Sequence, residues 1–164
     1  MKVAILGSGA MGATVIEHLK ECPEVDGVVA YDRSQERLRE VANRYHIQTT
    51  SQPDGVFNDP LVRLAFVTAA NDAHPSLTRQ AIGAGKAVMC EKPMATTLNE
   101  AREMVEFAEK HGAFLQIGFE ARYSRLYVKV KEWIDAGQLG QILNTHCVYL
   151  SSAREKGSWR NLKA

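Results

Sequence analysis

A glycine-spaced hexapeptide, Gly7-Ser8-Gly9-Ala10-Met11-Gly12, stands directly after an aliphatic run near the N-terminus. Between a strand and a helix, this spacing suits a loop that cradles phosphates. The first glycine permits a tight turn, the second lets a pyrophosphate approach the backbone, and the third lets helix pack on strand. The N–H groups freed around Ala10 and Met11, together with the helix dipole, then face negative charge. Asp32 closes a second aliphatic run, where a carboxylate can accept from the hydroxyls of an adenosine ribose. Together these features predict a dinucleotide site; the competing reading is a glycine turn that only packs.

Asp32 also bears on which dinucleotide. A carboxylate there repels a 2′-phosphate, which favours NAD. Arg33 and Arg37 keep NADP open, because either could reach a phosphate; both also suit plain solvated helix surface. A second constellation, Thr68-Ala69-Ala70-Asn71-Asp72-Ala73-His74, follows the fourth apolar run. Ligands of such folds bind outside the carboxyl ends of strands, so Thr68, Ala69, Asn71 and His74 are candidate contacts. Asn71 and Asp72 equally suit a turn before Pro75, and His74 a surface position at a helix start.

The third constellation is Glu91-Lys92-Pro93, at the end of the fifth run. A lysine at this strand end stands where chemistry on a nicotinamide occurs. An ammonium of ordinary pKa, about 10.4, acts as a base near neutral pH only after desolvation or a nearby cation lowers it. Glu91 works against that lowering, so an orienting or cofactor-binding role stays open beside the proton-transfer role. A cis Lys92–Pro93 bond would be one specific way to aim the lysine.

These residues need a scaffold, and hydrophobic periodicity supplies one. Strands are expected over 2–6, 25–31, 47–49, 62–68, 87–90 and 114–118, the fourth buried apart from Arg63. Helices are expected over 10–20, 34–45 with Ser34 as N-cap, 75–84, and from Thr97 to Gly112. In that last helix Leu98, Ala101, Met104, Val105 and Ala108 trace one face. Residues 50–60, punctuated by Pro53, Gly55 and Pro60, read as loop or one helical turn. Strands alternating with helices predict an α/β fold, a Rossmann-type doubly wound parallel sheet. After Gly118 the pattern changes to a helix over 124–136 and a half-exposed strand over 141–150. This predicts one domain over 1–119 and the start of something else over 120–164.

Composition narrows the function classes. The 164 residues carry 20 Lys+Arg against 19 Asp+Glu, a net charge of +1, which argues against a protein built mainly to hold nucleic acid or an anionic membrane. A short basic tail, Arg154, Lys156, Arg160 and Lys163 against Glu155, reads as solvated surface. No apolar run reaches a membrane span, and the glycines of the first apolar stretch speak against an export signal. Cys22, Cys90 and Cys147 form no CxxC pair and suit a reducing cytoplasm. The five histidines show no metal-binding spacing, so no metal is expected.

Taken in order, GxGxxG, Asp32, Asn71 with His74, and Glu91-Lys92-Pro93 resemble the glucose–fructose oxidoreductase / inositol dehydrogenase / rhizopine-catabolism (Gfo/Idh/MocA) family. The stretch over 81–94, AIGAGKAVMCEKPM, is the most specific part. Gly118-Phe119-Glu120-Ala121-Arg122-Tyr123, the GQLGQI segment over 137–142 and Trp159-Arg160 are similar to later family signatures. The resemblance implies an NAD(P)-dependent oxidoreductase moving a hydride between nicotinamide and a secondary alcohol of a sugar or polyol. Lys92 would handle the proton; Asn71 and His74 would line the nicotinamide pocket, with Arg122 and Tyr123 facing the same cleft. It also implies a second, antiparallel α/β domain for substrate and dimerisation, of which this sequence holds only the beginning. His146 does not match that domain's histidine motif. A homo-oligomer, or a partner covering the shortened second domain, is therefore expected.

Overall fold

The computed structural model describes residues 1–148 and 150. Its order is β1 (Lys2–Leu6), α1 (Ala10–Lys20), β2 (Gly27–Tyr31), α2 (Gln35–Tyr45), β3 (Gln48–Thr50), α3 (Asp54–Phe57), β4 (Val62–Val67), α4 (His74–Gly83), β5 (Ala87–Cys90), α5 (Leu98–Lys110), β6 (Leu115–Ile117) and α6 (Arg125–Asp135). The strands form one six-stranded sheet in the order β3-β2-β1-β4-β5-β6, every neighbouring pair parallel. The doubly wound Rossmann arrangement is thus present, and the strand order reverses direction between β1 and β4.

Period-two alternation builds the core on both faces of that sheet. Ala4 and Leu6 of β1 point into a cluster with Leu77, Ala81, Val88, Met104 and Ala108. Ile5 points the other way, onto Ile16, Val28, Ala30, Val41 and Tyr45. Ser34 caps α2 by accepting from the Arg37 N–H. Thr97 and Glu100 form a reciprocal capping box at the start of α5.

The register matters most for the site. Leu6 pairs with Tyr31 on one side and Val67 on the other, and Val67 pairs with Cys90. The next residue of each strand therefore emerges from one row: Gly7, Asp32, Thr68 and Glu91. Backbone bonds continue across it, from Gly7 N to Tyr31 O (2.8 Å), Thr68 N to Leu6 O (2.9 Å) and Glu91 N to Val67 O (2.9 Å).

Several expectations are corrected. In β4, Leu64 and Phe66 are half-buried rather than buried. The apolar face of α5 is narrower than expected: Met104 and Ala108 are buried, while Leu98 and Val105 are 65% and 43% exposed. The strand expected over 141–150 is not seen among the described residues. Alternation alone does not make a strand; a neighbouring backbone must accept the ladder, and none does so there. Trp159 and Arg160 lie outside the described residues.

The chain separates into two compact units, Met1–Glu120 and a second beginning at Ala121. In the second unit α6 is followed by Gly137 at φ +67°, and none of the helix's residues is buried. No helix among the described residues is long and apolar enough to cross a membrane.

Candidate active site

The glycine loop fills the gap between β1 and α1, and its glycines serve different needs. Gly7 sits at φ +110°, and a Cβ there would lie 2.5 Å from the backbone of Ala69. A Cβ on Gly12 would lie 2.1 Å from the Gly7 carbonyl oxygen. Both are required by the chain's own packing. Gly9 differs: its φ of −69° suits any residue, and a Cβ there meets nothing within 4 Å. The chain's own packing therefore does not require its smallness, and the open space beside it fits the backbone approach of a pyrophosphate.

The N-terminus of α1 supports the same fit. Gly9 provides no side-chain cap, and the first turn, with Ala10 and Met11 exposed, holds no acidic residue. Its N–H groups and dipole therefore suit a negatively charged ligand.

Asp32 is 8% exposed and densely bonded. Its Oδ2 accepts from the Ser8 N–H (2.8 Å) and the Ser8 hydroxyl (3.1 Å), and its Oδ1 from the Ser34 N–H (2.9 Å). The carboxylate is therefore a brace for the glycine loop as well as a candidate ribose acceptor, since two oxygens offer about four lone-pair sites. Arg37 reaches within 3.9 Å of Oδ2 from the solvent side, while Arg33 is exposed beside it. Ser8 was missed by sequence reasoning. It occupies a variable position of the glycine motif, and nothing in the sequence marks its hydroxyl as aimed at an acid 24 residues away.

Two expected ligand contacts turn inward. The Thr68 hydroxyl, buried, donates to the Gly7 carbonyl at 2.6 Å, so it stiffens the loop instead of facing a ligand. His74 is 1% exposed, with both ring nitrogens against backbone carbonyls of Ala69 and Pro93. The expectation that it lines an open pocket is corrected, because neither nitrogen is left for a ligand. Asn71 stays half-buried at the head of a short 3₁₀ turn, Asn71–Ala73, beyond β4.

Glu91 and Lys92 leave β5 at the same edge. The Lys92–Pro93 bond is cis. Glu91 Oε2 accepts from the Lys92 N–H at 3.2 Å, which turns that carboxylate back on its own loop. Lys92 Nζ lies 3.9 Å from Glu120 Oε1, with both side chains substantially exposed. Such a pair contributes little to stability, yet it sets a second carboxylate beside the lysine. Arg122 lies on the Glu120–Tyr123 3₁₀ turn, at the start of the second unit. Among the described residues no cluster of His, Cys, Asp or Glu could hold a metal ion.

Just before Glu91, Cys90 is 0% exposed. Burial, reinforced by the Glu91 charge, pushes its thiol up from 9.0 to about 11. A proton held more tightly in the folded state stabilises it fully below pH 9, and that contribution fades as pH rises toward 11. Stability should therefore fall with a slope of about 1.4 kcal/mol per pH unit across this window. Chemical denaturation of the parent and of Cys90→Ala between pH 7 and 11 checks this: the extra slope above pH 9 is expected only in the parent.

Comparison with known proteins agrees with this geometry. The profile of the GFO_IDH_MocA family, described as an oxidoreductase family with an NAD-binding Rossmann fold, matches residues 1–119. Inositol 2-dehydrogenase of Salmonella typhimurium is 33% identical over 150 residues, covering 89% of this chain and 45% of the relative. Inositol 2-dehydrogenase/D-chiro-inositol 3-dehydrogenase of Lactiplantibacillus plantarum is 32% identical, covering 87% and 42%. Among solved structures, myo-inositol 2-dehydrogenase from Lactobacillus plantarum superposes with a TM-score of 0.79 at 29% identity, over 87% of this chain and 43% of that one. GenD2 from gentamicin A biosynthesis, solved in complex with NAD, gives 0.79 at 28% identity, over 84% and 40%. The chain thus spans less than half the length of the relatives it matches.

Proposed function

The chain belongs to the GFO_IDH_MocA family of oxidoreductases, and from that premise we propose that it holds NAD and presents Lys92 for proton transfer during oxidation of a polyol. The observation carrying this is the single row Gly7, Asp32, Thr68 and Glu91, with Lys92 next in sequence. The nicotinamide, when bound, supplies the hydride acceptor or donor. A secondary alcohol that becomes a ketone also loses its hydroxyl proton, and Lys92 Nζ would take it. In reduction the same nitrogen returns that proton. Asp32 would hold the adenosine ribose, and the Gly9 backbone with the α1 N-terminus the pyrophosphate. The inositol dehydrogenases among the relatives make a cyclic polyol the substrate class to test first.

A second reading is a module that binds dinucleotide without turnover; the match spans 45% of the inositol 2-dehydrogenase relative. Turnover with NAD across a panel of cyclic polyols and sugars, myo-inositol included, separates the two. Lys92→Ala is expected to lower kcat by about 10²–10⁴-fold, the usual contribution of a positioned acid–base group. NAD affinity, measured in parallel, should stay within about threefold, since the glycine loop is untouched. Unchanged turnover would remove Lys92 from the chemistry. NAD binding without turnover on any substrate would favour the second reading for this chain.

A further inference from the structure

We infer that His74 is a positioning residue, a buried bridge that fastens the Lys92 turn to the cofactor loop. Its Nδ1 lies 2.7 Å from the carbonyl oxygen of Pro93, and its Nε2 3.2 Å from that of Ala69. Both neighbours can only accept, so the ring must donate. The shorter contact assigns a proton to Nδ1, bonded to Pro93.

The two carbonyls belong to the two segments on which the site depends. Pro93 follows Lys92 directly, so holding its carbonyl restrains the peptide that carries the lysine. Ala69 backs the glycine loop so closely that a Cβ on Gly7 would lie 2.5 Å from its Cα and its nitrogen. The imidazole itself is anchored from behind. It opens α4, where Pro75, Leu77, Thr78, Ala81 and Ile82 are all buried. A core-filling role alone would be met by any ring of similar size and does not require nitrogens against two carbonyls. A ligand-binding role requires a free nitrogen, and neither is free. The bridge instead couples the phosphate loop to the Lys92 turn through the ring's close packing against the Ala69 carbonyl and one hydrogen bond, from Nδ1 to Pro93, that is costly to leave unmade in a buried place.

The inference rests on the reading that Lys92 stands beside bound NAD, so its test reads Lys92 directly. Acylation of Lys92 by a lysine-directed reagent, followed by mass spectrometry with and without NAD, gives a protection factor. NAD is kept saturating for each variant by a separate calorimetric titration. His74→Phe fills the space with no donor, His74→Asn restores a donor near Nδ1, and His74→Gln restores one near Nε2. Protection is expected to fall by about tenfold in His74→Phe and His74→Gln and to stay within about twofold in His74→Asn, the loss matching one buried hydrogen bond. Undiminished protection in His74→Phe, or equal loss in all three, would overturn the bridge.

Nitrogen-15 spectra of the unsubstituted chain supply a check that no misfolded variant can spoil. A proton on Nδ1 coupled to the Pro93 carbonyl supports the bridge, and a bare Nδ1 overturns it. Absence of NAD protection in the unsubstituted chain would instead remove the reading of Lys92, and the spectra alone would then decide the bridge.

Discussion

Gly12→Ala should lose both folding stability and NAD binding, whereas Gly9→Ala should lose NAD binding alone. The added methyl of Gly12→Ala would lie 2.1 Å from the Gly7 carbonyl oxygen and 3.1 Å from the Thr68 hydroxyl. The closer atom is backbone, and that backbone is already held by the 2.6 Å bond from Thr68. It cannot give way as a flexible side chain would, so α1 must move off the sheet. The expected cost is about 3 kcal/mol or more, the upper end for overpacking. At Gly9 the same methyl meets open space and an unstrained backbone, so the melting temperature should not change. NAD affinity should nonetheless fall by about tenfold or more, since a phosphate forced away from the α1 N–H groups loses a charge-assisted hydrogen bond. Thermal melts and calorimetry on the two variants check the dissociation of the two effects. Equal NAD affinity in Gly9→Ala and the parent would show that no phosphate approaches there.

Asp32→Asn is the second large effect, and it follows from donor counting. The carboxylate accepts from Ser8 N–H and Ser8 hydroxyl on one oxygen and from Ser34 N–H on the other. An amide keeps one acceptor and turns its NH₂ toward a donor, whichever way it is placed. At least one buried backbone N–H then loses its partner, which costs about 1–3 kcal/mol. The glycine loop loosens on the Ser8 side, or the start of α2 on the Ser34 side. NAD affinity should drop by about tenfold or more, and the ratio of NADP to NAD affinity should rise because the charge facing a 2′-phosphate is gone. Arg37, 3.9 Å away, is then released to meet such a phosphate. An unchanged ratio would show that Asp32 does not select the cofactor.

Much of this was legible in the sequence because it depends on local chemistry. The glycine spacing placed the β1–α1 turn, Ser34 and Thr97 announced helix starts that the structure caps in the expected way, and Gly112 adopts the positive φ of 57° that ends α5. The six strands follow from aliphatic runs between turn formers. What was not legible depends on register and on groups meeting across the sheet. The Ser8–Asp32 bond exists because Leu6 pairs with Tyr31, and no spacing rule for one strand contains that fact. Thr68 and His74 sit in a segment that reads as ligand-facing. Only the tertiary placement of the Gly7 and Pro93 carbonyls shows them turned inward. Leu98 and Val105 lie toward the face of Met104 and Ala108 yet stay exposed, because helical periodicity gives a direction and not the width of the partner surface. No strand forms among the described residues of 141–150, because alternation cannot supply a pairing neighbour.

NAD binding by the first unit, through Gly9, the α1 N-terminus and Asp32, is the property on which the proposed chemistry depends. Its most direct test is calorimetric titration of NAD into the folded chain, with NADP run in parallel. One binding site per chain is expected, with NAD bound more tightly than NADP. A folded sample that binds neither dinucleotide would contradict it.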